Sequence, residues 1–409
     1  MDFPRVIKDK INKYLTGGHN LLLLGPRQTG KSTLIQDAIS ELKKKKILIY
    51  KLQDIYTYQQ LLKDPSSLIK NVEEELKTNN VCLFIDEVQK IPILLDGCQY
   101  LIDQYKKKIT VILTGSSARK LRKSGANLLP GRVLFNHLHS LILPEIKKQK
   151  EQRIIPIKFT PKKYPKENIT LDDLLLYGSL PGILKEKEIR ADLLESYVAT
   201  YLEEEIRAES LSRNLSEFSK FLELSALESN TAPNLSKLSQ ETGVALATIK
   251  SYFQLLEDTL ITYPIPIFQK LTRKQVLTTP KYIYYDLGVR NVASGMPLNK
   301  GILKTEIGGK LFEHFICLEL IKRIKYFHPT WKYFFWRTNH GLEVDFIIQT
   351  DDEIIPIEIK YTDSPQARHI SHLKIFMEEF KCNRGYVIGT FPRAMKLDDK
   401  ISAIPWDEI

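Results

Sequence analysis

The sequence predicts a multidomain α/β protein that opens with a nucleotide-binding domain, and three observations predict it. The stretch GPRQTGKST at 25–33 follows an apolar run, LLLL at 21–24, and precedes TLIQDAISELKK, whose apolar spacing suits a helix. A second apolar run, VCLFIDE at 81–87, ends in two carboxylates. Near the end of the chain, segments of helix and strand character follow the order α-β-β-β-α-β, which implies a separate α/β domain. A chain of 409 residues, 43% of them apolar, is too long for one core, so two to four units are expected.

The first domain is built on its phosphate loop. Gly25, Gly30, Lys31 and Ser32 fit G-x-x-x-x-G-K-[ST] between a strand and a helix. The nucleotide-binding set is therefore Gly25, Pro26, Arg27, Gln28, Thr29, Gly30, Lys31, Ser32 and Thr33. The glycines let backbone N–H groups turn inward on phosphates, Lys31 reaches the β and γ phosphates, and Ser32 offers a hydroxyl to magnesium. A buried parallel strand delivers its last residues to the same edge, so Asp86 would hold magnesium through water and Glu87 would polarise the attacking water. An Asp-Glu pair after a strand is also a common solvated turn, but about fifty residues after a phosphate loop it reads as the loop's partner. A third strand, within ITVILTGSSARKL at 109–121, ends in Thr114, Ser116 and Ser117, placed to sense the γ phosphate. Arg132, in LPGR, either reaches the phosphates, in cis or from a neighbouring subunit, or braces the domain.

Charge and cysteine usage bound the setting. The net charge is +11, and residues 101–166 hold 16 Lys and Arg against three acidic residues, whereas 307–409 hold 14 against 15. A polyanion would feel the second half of the first domain most strongly, which makes DNA a candidate partner; solvated helix ends are the plainer account of the lysine runs. Cys82, Cys98, Cys317 and Cys382 lie far apart, arguing against a disulfide framework or a thiolate zinc site. The charged N-terminus and the lack of any long apolar stretch point to a cytoplasmic protein with no membrane partner.

GPRQTGKST, LFIDEVQKIP, LTGSSARKL, LPGR, GSLPGIL at 178–184 and YLEEEIR at 201–207 occur in that order. Together they resemble a large family of bacterial and archaeal AAA+-type ATPases, over most of the chain. The resemblance implies an ATPase module using ATP and Mg2+, followed by a C-terminal region of unassigned function.

Four domains are expected: an ATPase domain with a basic linker over 1–168, a helical lid over 169–213, a winged helix-turn-helix over 214–275 and a C-terminal domain over 276–409. The lysine- and proline-rich segment 145–168 lacks periodicity and reads as the linker. In LSKLSQETGVALATIKSYFQLLEDTLI the Thr242-Gly243 break between two helix-spaced runs gives a helix-turn-helix, with ITYPIPIFQK as its wing. Its second helix offers only Lys250 among acidic neighbours, and the segment 214–275 balances six basic residues with six acidic ones. Packing or dimerisation suits it better than reading DNA.

The last domain resembles the restriction-endonuclease-like fold, with Asp345, Glu358 and Lys360 as its D…E-x-K site. Alternation puts Glu358 and Lys360 on one strand face, Asp345 falls on the neighbouring strand, and Glu313 on the preceding helix would complete a magnesium pocket. Asp345 and Glu358 would bind the metal that activates water, with Lys360 orienting that water or steadying the transition state. An ordinary strand with alternating charges is the plainer account of E-x-K.

The expected function is an ATP-hydrolysing switch coupling nucleotide state to a nuclease-like domain that acts on DNA. The alternative is a signalling or scaffold ATPase whose nuclease fold is inactive and binds a protein partner. Either could assemble as a homo-oligomer.

Overall fold

Continuous apolar runs form the centre of a parallel sheet. In the computed structural model, which describes residues 3–116, 129–147, 169–202, 215–269 and 279–409, the first five strands are β1 (Asn20–Leu24), β2 (Lys46–Lys51), β3 (Val81–Asp86), β4 (Ile109–Gly115) and β5 (Val133–His137). Their order is β2-β3-β4-β1-β5 and every neighbouring pair is parallel. Every residue of β3 and β4 is buried, as strands covered on both faces require, whereas β2 at the edge is mostly half-buried or exposed.

Helices Ser66–Leu76 and Leu94–Tyr105 supply Leu68, Val72, Leu95, Cys98 and Leu101 to one core with Leu83, Ile85, Val111 and Leu113 of the sheet. Each such side chain contributes ~1.5–3 kcal/mol by leaving water. The order of strands also gathers the polar groups of this unit. Because β4 lies between β1 and β3, the ends of all three deliver the phosphate loop, Thr114 to Ser116, and Asp86 with Glu87 to one edge.

The chain divides into two compact units, Met1–Leu141 with Leu255–Ile261, and Ile142–Gln254 with Thr262–Ile409. The second begins with short helices, Leu171–Tyr177, Pro181–Lys185 and Arg190–Tyr197. Thr170 caps the first of these, its hydroxyl accepting from the Asp173 N–H while the Asp173 carboxylate accepts from the Thr170 N–H. The turn GSLPG after that helix is a lock. A Cβ on Gly178 would lie 2.0 Å from Asp286 Oδ1, and the buried Asp286 accepts from the N–H groups of Ser179 and Gly288.

Helices Leu215–Leu227, Leu235–Thr242 and Leu246–Asp258 come next, with Gly243 at φ +78° turning the chain between the last two. Strand β6 (Thr262–Ile265) pairs antiparallel with β7 (Lys281–Tyr284), so this two-stranded sheet runs past the boundary expected at 275. Phe253 stacks on Tyr282 with centroids 4.2 Å apart. The last six strands, β8 (Lys332–Arg337), β9 (Glu343–Gln349), β10 (Ile354–Lys360), β11 (Gly385–Gly389), β12 (Met395–Lys396) and β13 (Ile401–Pro405), form a mixed sheet in the order β12-β13-β11-β10-β9-β8. Helix Glu306–Phe327 packs on β10, and helix Ser371–Glu379 packs on β9 and β10 through Leu373 and Phe376.

The expected linker from 148 to 168, residues 203–207 of YLEEEIR, Gln269's neighbour Lys270 in the expected wing, and Ser117, Arg119, Lys120, Arg122 and Lys123 lie outside the described residues. All four cysteines are buried and free. Among the described residues no helix is long and apolar enough to cross a membrane.

Candidate functional site

The phosphate loop is held in shape from several sides. Gly30 adopts φ +90°, open to glycine at no steric cost, and a Cβ on Gly25 would lie 2.2 Å from the backbone oxygen of Leu138. Thr29 Oγ1 donates to Pro26 O at 2.8 Å, and Arg5, itself buried, donates to Thr29 O and His139 O at 2.5 and 2.6 Å. Arg5 was not legible as part of the site, since a lone arginine near the N-terminus carries no pattern.

Lys31 is 4% exposed, and its ammonium donates to Gly25 O at 2.8 Å and Pro26 O at 3.0 Å, with Glu87 Oε1 at 3.7 Å. Ser32 Oγ lies 2.9 and 2.8 Å from the two Asp86 carboxylate oxygens, and Thr114 Oγ1 donates to Oδ1 of the same residue. Glu87 sits at φ +60°, and its N–H donates to Thr114 Oγ1 at 3.2 Å. Gln89 Nε2 donates to Glu87 Oε2 and to Ser116 Oγ, at 2.5 and 2.9 Å, while Ser116 Oγ donates to Glu87 Oε2 at 3.2 Å. Gln89 is the neighbour that sequence reasoning overlooked, though it stands two residues after Glu87 in the same quoted run.

A cavity of about 420 Å³ opens over this edge, lined by Arg27, Gln28, Gly30, Lys31, Ser32, Thr33, Gln53, Glu87 and Lys90. Its lining is polar and cationic at Lys31, Arg27 and Lys90, which suits a polyphosphate. Arg132 is placed elsewhere. Its Nε and terminal nitrogen grip Asp103 at 2.7 and 3.0 Å on the exposed surface, the bracing arrangement, and Arg132 is not among the residues that line the cavity.

A second polar cluster lies in the C-terminal domain. Lys360 Nζ is 2.6 Å from Glu358 Oε1 and 3.5 Å from Asp345 Oδ2, and the Ile359 N–H donates to the same Asp345 oxygen at 2.7 Å. Glu358 is 5% exposed, and its Oε2 has no hydrogen-bond partner. Burial, then the Asp345 charge, push its carboxyl up to about 8, against the pull of Lys360. Glu313 is engaged differently from the expected metal triad. Its Oε1 accepts from Asn230 Nδ2 at 2.9 Å and faces Lys281 Nζ at 3.6 Å, while burial, then the Asp345 charge, push its carboxyl up to about 7.

Lys281 also bonds Glu343 Oε1 at 2.6 Å. Burial alone would lower the Lys281 pKa, but Glu313, Glu343 and Asp345 outweigh it and raise the value. Among the described residues no group of three or more His, Cys, Asp or Glu side chains is gathered as a metal site. Instead each of two ammonium groups holds a carboxylate pair. Lys281 was missed because β7 meets the cluster only through the fold, whereas Glu343 stands two residues before Asp345 on β9, where strand alternation puts both on one face.

Residues 18–147 match the family model described as an AAA domain, 168–300 match a domain of unknown function, DUF8612, and 308–409 match another, DUF4143. The parallel-sheet core is thus that of an AAA-type P-loop ATPase. The uncharacterized protein Rv2008c of Mycobacterium tuberculosis is 22% identical over 95% of this chain and 80% of its own length. An uncharacterized protein of Haemophilus influenzae is 22% identical over 94% of this chain and 93% of its own. Among solved structures, the Walker-type ATPase PABY2304 of Pyrococcus abyssi is 14% identical with TM-score 0.46, covering 70% of this chain and 94% of that one. DnaA from Aquifex aeolicus is 15% identical with TM-score 0.33, covering 61% and 86%.

Proposed function

We propose that this protein is a magnesium-dependent ATPase that couples its nucleotide state to a nuclease-like C-terminal domain acting on DNA. The observation that carries the ATPase reading is the joining of Ser32 to both oxygens of Asp86, beside a loop in which Gly25 has no room for a side chain and Gly30 takes a positive φ. That hydroxyl and carboxylate are hard oxygen donors, the kind magnesium takes alongside substrate phosphates. Magnesium, when bound, would neutralise charge on the β and γ phosphates. Lys31 gives up one of its two loop carbonyls to meet those phosphates. Glu87 accepts a hydrogen bond from the attacking water and so orients it, and Ser116 and Gln89 hold the Glu87 carboxylate at that edge. Arg132 serves a neighbouring subunit's phosphates only if it first leaves Asp103.

In the C-terminal domain Asp345 and the free Glu358 Oε2 would hold one divalent cation, a two-carboxylate arrangement that magnesium accepts when waters and phosphates fill the other positions. The metal would supply an activated water; Lys360 would steady charge on the cleaved phosphodiester. The DNA reading draws on the basic excess over 101–166. A second reading, an inactive fold used as a protein scaffold, is favoured by the way Lys281 and Lys360 already compensate the carboxylates.

Phosphate release from ATP and cleavage of single- and double-stranded DNA, each with and without Mg2+, test both parts. Glu87→Gln should bind ATP and lose turnover by at least a hundredfold, and Asp345→Asn should abolish cleavage with ATP hydrolysis unchanged. Turnover undiminished in Glu87→Gln refutes the ATPase mechanism. ATP hydrolysis without DNA cleavage under any condition leaves the scaffold reading in its place.

A further inference from the structure

The two lysine-centred pairs look alike in distance and differ in freedom. Lys281 Nζ lies 2.6 Å from Glu343 and 3.6 Å from Glu313; Lys360 Nζ lies 2.6 Å from Glu358 and 3.5 Å from Asp345. The Lys360 side chain is 35% exposed, so its ammonium can swing into water and yield its place. That of Lys281 is 6% exposed, with its ammonium 4.9 Å from the centroid of the Phe335 ring. Moving it would strand two carboxylates and open a hole against an aromatic face.

The carboxylates differ in the same sense. Glu358 keeps a buried oxygen without a partner, an acceptor site open to a cation. The Glu313 oxygen on Lys281 also accepts from Asn230, and the second Glu343 oxygen faces Arg337 Nε at 3.7 Å. Four carboxylates on neighbouring elements would suffice for two divalent cations. Here one half of that set is already filled by a fixed ammonium.

We propose that Lys281 limits the C-terminal site to a single divalent cation, its buried ammonium standing where a second cation would sit between Glu313 and Glu343. The inference rests on reading Asp345, Glu358 and Lys360 as a metal-dependent site. Lys281 is thus a positioning residue that sets metal stoichiometry and touches no substrate.

Calorimetric titration of the nucleotide-free full chain with Mn2+ tests this, with Asp86→Asn in every variant to remove the magnesium-holding carboxylate of the ATP site. The parent should bind one Mn2+ and lose it on adding Asp345→Asn. Lys281→Met should bind two, and its melting temperature should rise with Mn2+ more than the parent's, because a cation replaces the lost ammonium. The double variant Lys281→Met, Glu343→Gln, which carries one carboxylate fewer to repel its neighbour, should be folded by circular dichroism and return to one Mn2+. One Mn2+ in a folded Lys281→Met, or two in the parent with one lost on Asp345→Asn, overturns the proposal and leaves the hydrolytic reading standing. No Mn2+ in the parent overturns both.

Discussion

Replacing Lys31 by methionine keeps the length of the side chain and removes its charge, so the variant isolates what the ammonium does for ATP. A unit charge pair at about 4 Å and an effective dielectric near 20 is worth roughly 4 kcal/mol. To gain it Lys31 must give up one of the two loop carbonyls now 2.8 and 3.0 Å away, its three N–H donors letting it keep the other. Losing one such charge-assisted bond costs about 1.5 kcal/mol. The net is about 2.5 kcal/mol, or a loss of affinity on the order of seventyfold. Without nucleotide, Lys31→Met removes the cost of burying an ammonium as well as the bonds that repay it, so the melting temperature should move by only a few degrees. Titration with a fluorescent ATP analogue measures the first quantity and thermal melting the second. A dissociation constant within fivefold of wild type, in a protein that melts normally, would refute the assignment of Lys31 to the phosphates.

Three further outcomes are expected. Gly25→Ala drives a Cβ to 2.2 Å from Leu138 O, so β1 and β5 must shift and stability should fall by ~1–3 kcal/mol or more, whereas Gly182→Ala meets nothing within 4 Å and should stay within ~0.5 kcal/mol; denaturant melts compare them. Gln89→Ala removes the amide that holds Glu87 Oε2 and Ser116 Oγ, and should lower ATP turnover about tenfold or more with the ATP dissociation constant unchanged, read by steady-state kinetics and direct titration. Burial, with Arg290 and Lys322 nearby, pulls His314 down to about 3 from 6.5, so the unfolded chain binds the extra proton between those values and stability is lost as pH falls through that window. From pH 7 to pH 5 the loss is roughly 2 kcal/mol, and it should vanish in His314→Gln; an equal pH dependence in both proteins would count against it.

What was legible in the sequence is what local pattern enforces. β1, β3 and β4 read directly because a strand covered on both faces has to be apolar throughout, and the loop after β1 because phosphate cradling needs glycines at fixed spacing. The α-β-β-β-α-β succession as far as β11 was legible for a similar reason, each strand being a short β-rich run between turns; β12 and β13 lie beyond that expectation. The roles of single charged residues were not. Arg132 has the spacing of a phosphate-facing arginine, yet Asp103, at the far end of helix Leu94–Tyr105, takes its guanidinium. Nothing local to GSLPGIL names a partner for Gly178; the group that excludes a side chain there is Asp286, more than a hundred residues on.

The carboxylates of the C-terminal domain carry this furthest. E-x-K on β10 and Asp345 on β9 are local facts, fixed by two-residue alternation and by an antiparallel register that sets Ile357 opposite Phe346. Whether such a set holds a cation depends on which counter-charges the fold imports, and those come from β7, 77 positions before Glu358, where KYIY shows one lysine in an otherwise apolar strand. A buried lysine is costly unless carboxylates meet it, so Lys281 within that strand is itself a signal that acidic groups lie across from it. The sequence cannot say which ones. The fold answers with Glu313 and Glu343, and so leaves Asp345 and Glu358 as the pair with a half-buried, displaceable lysine and an oxygen still without a partner.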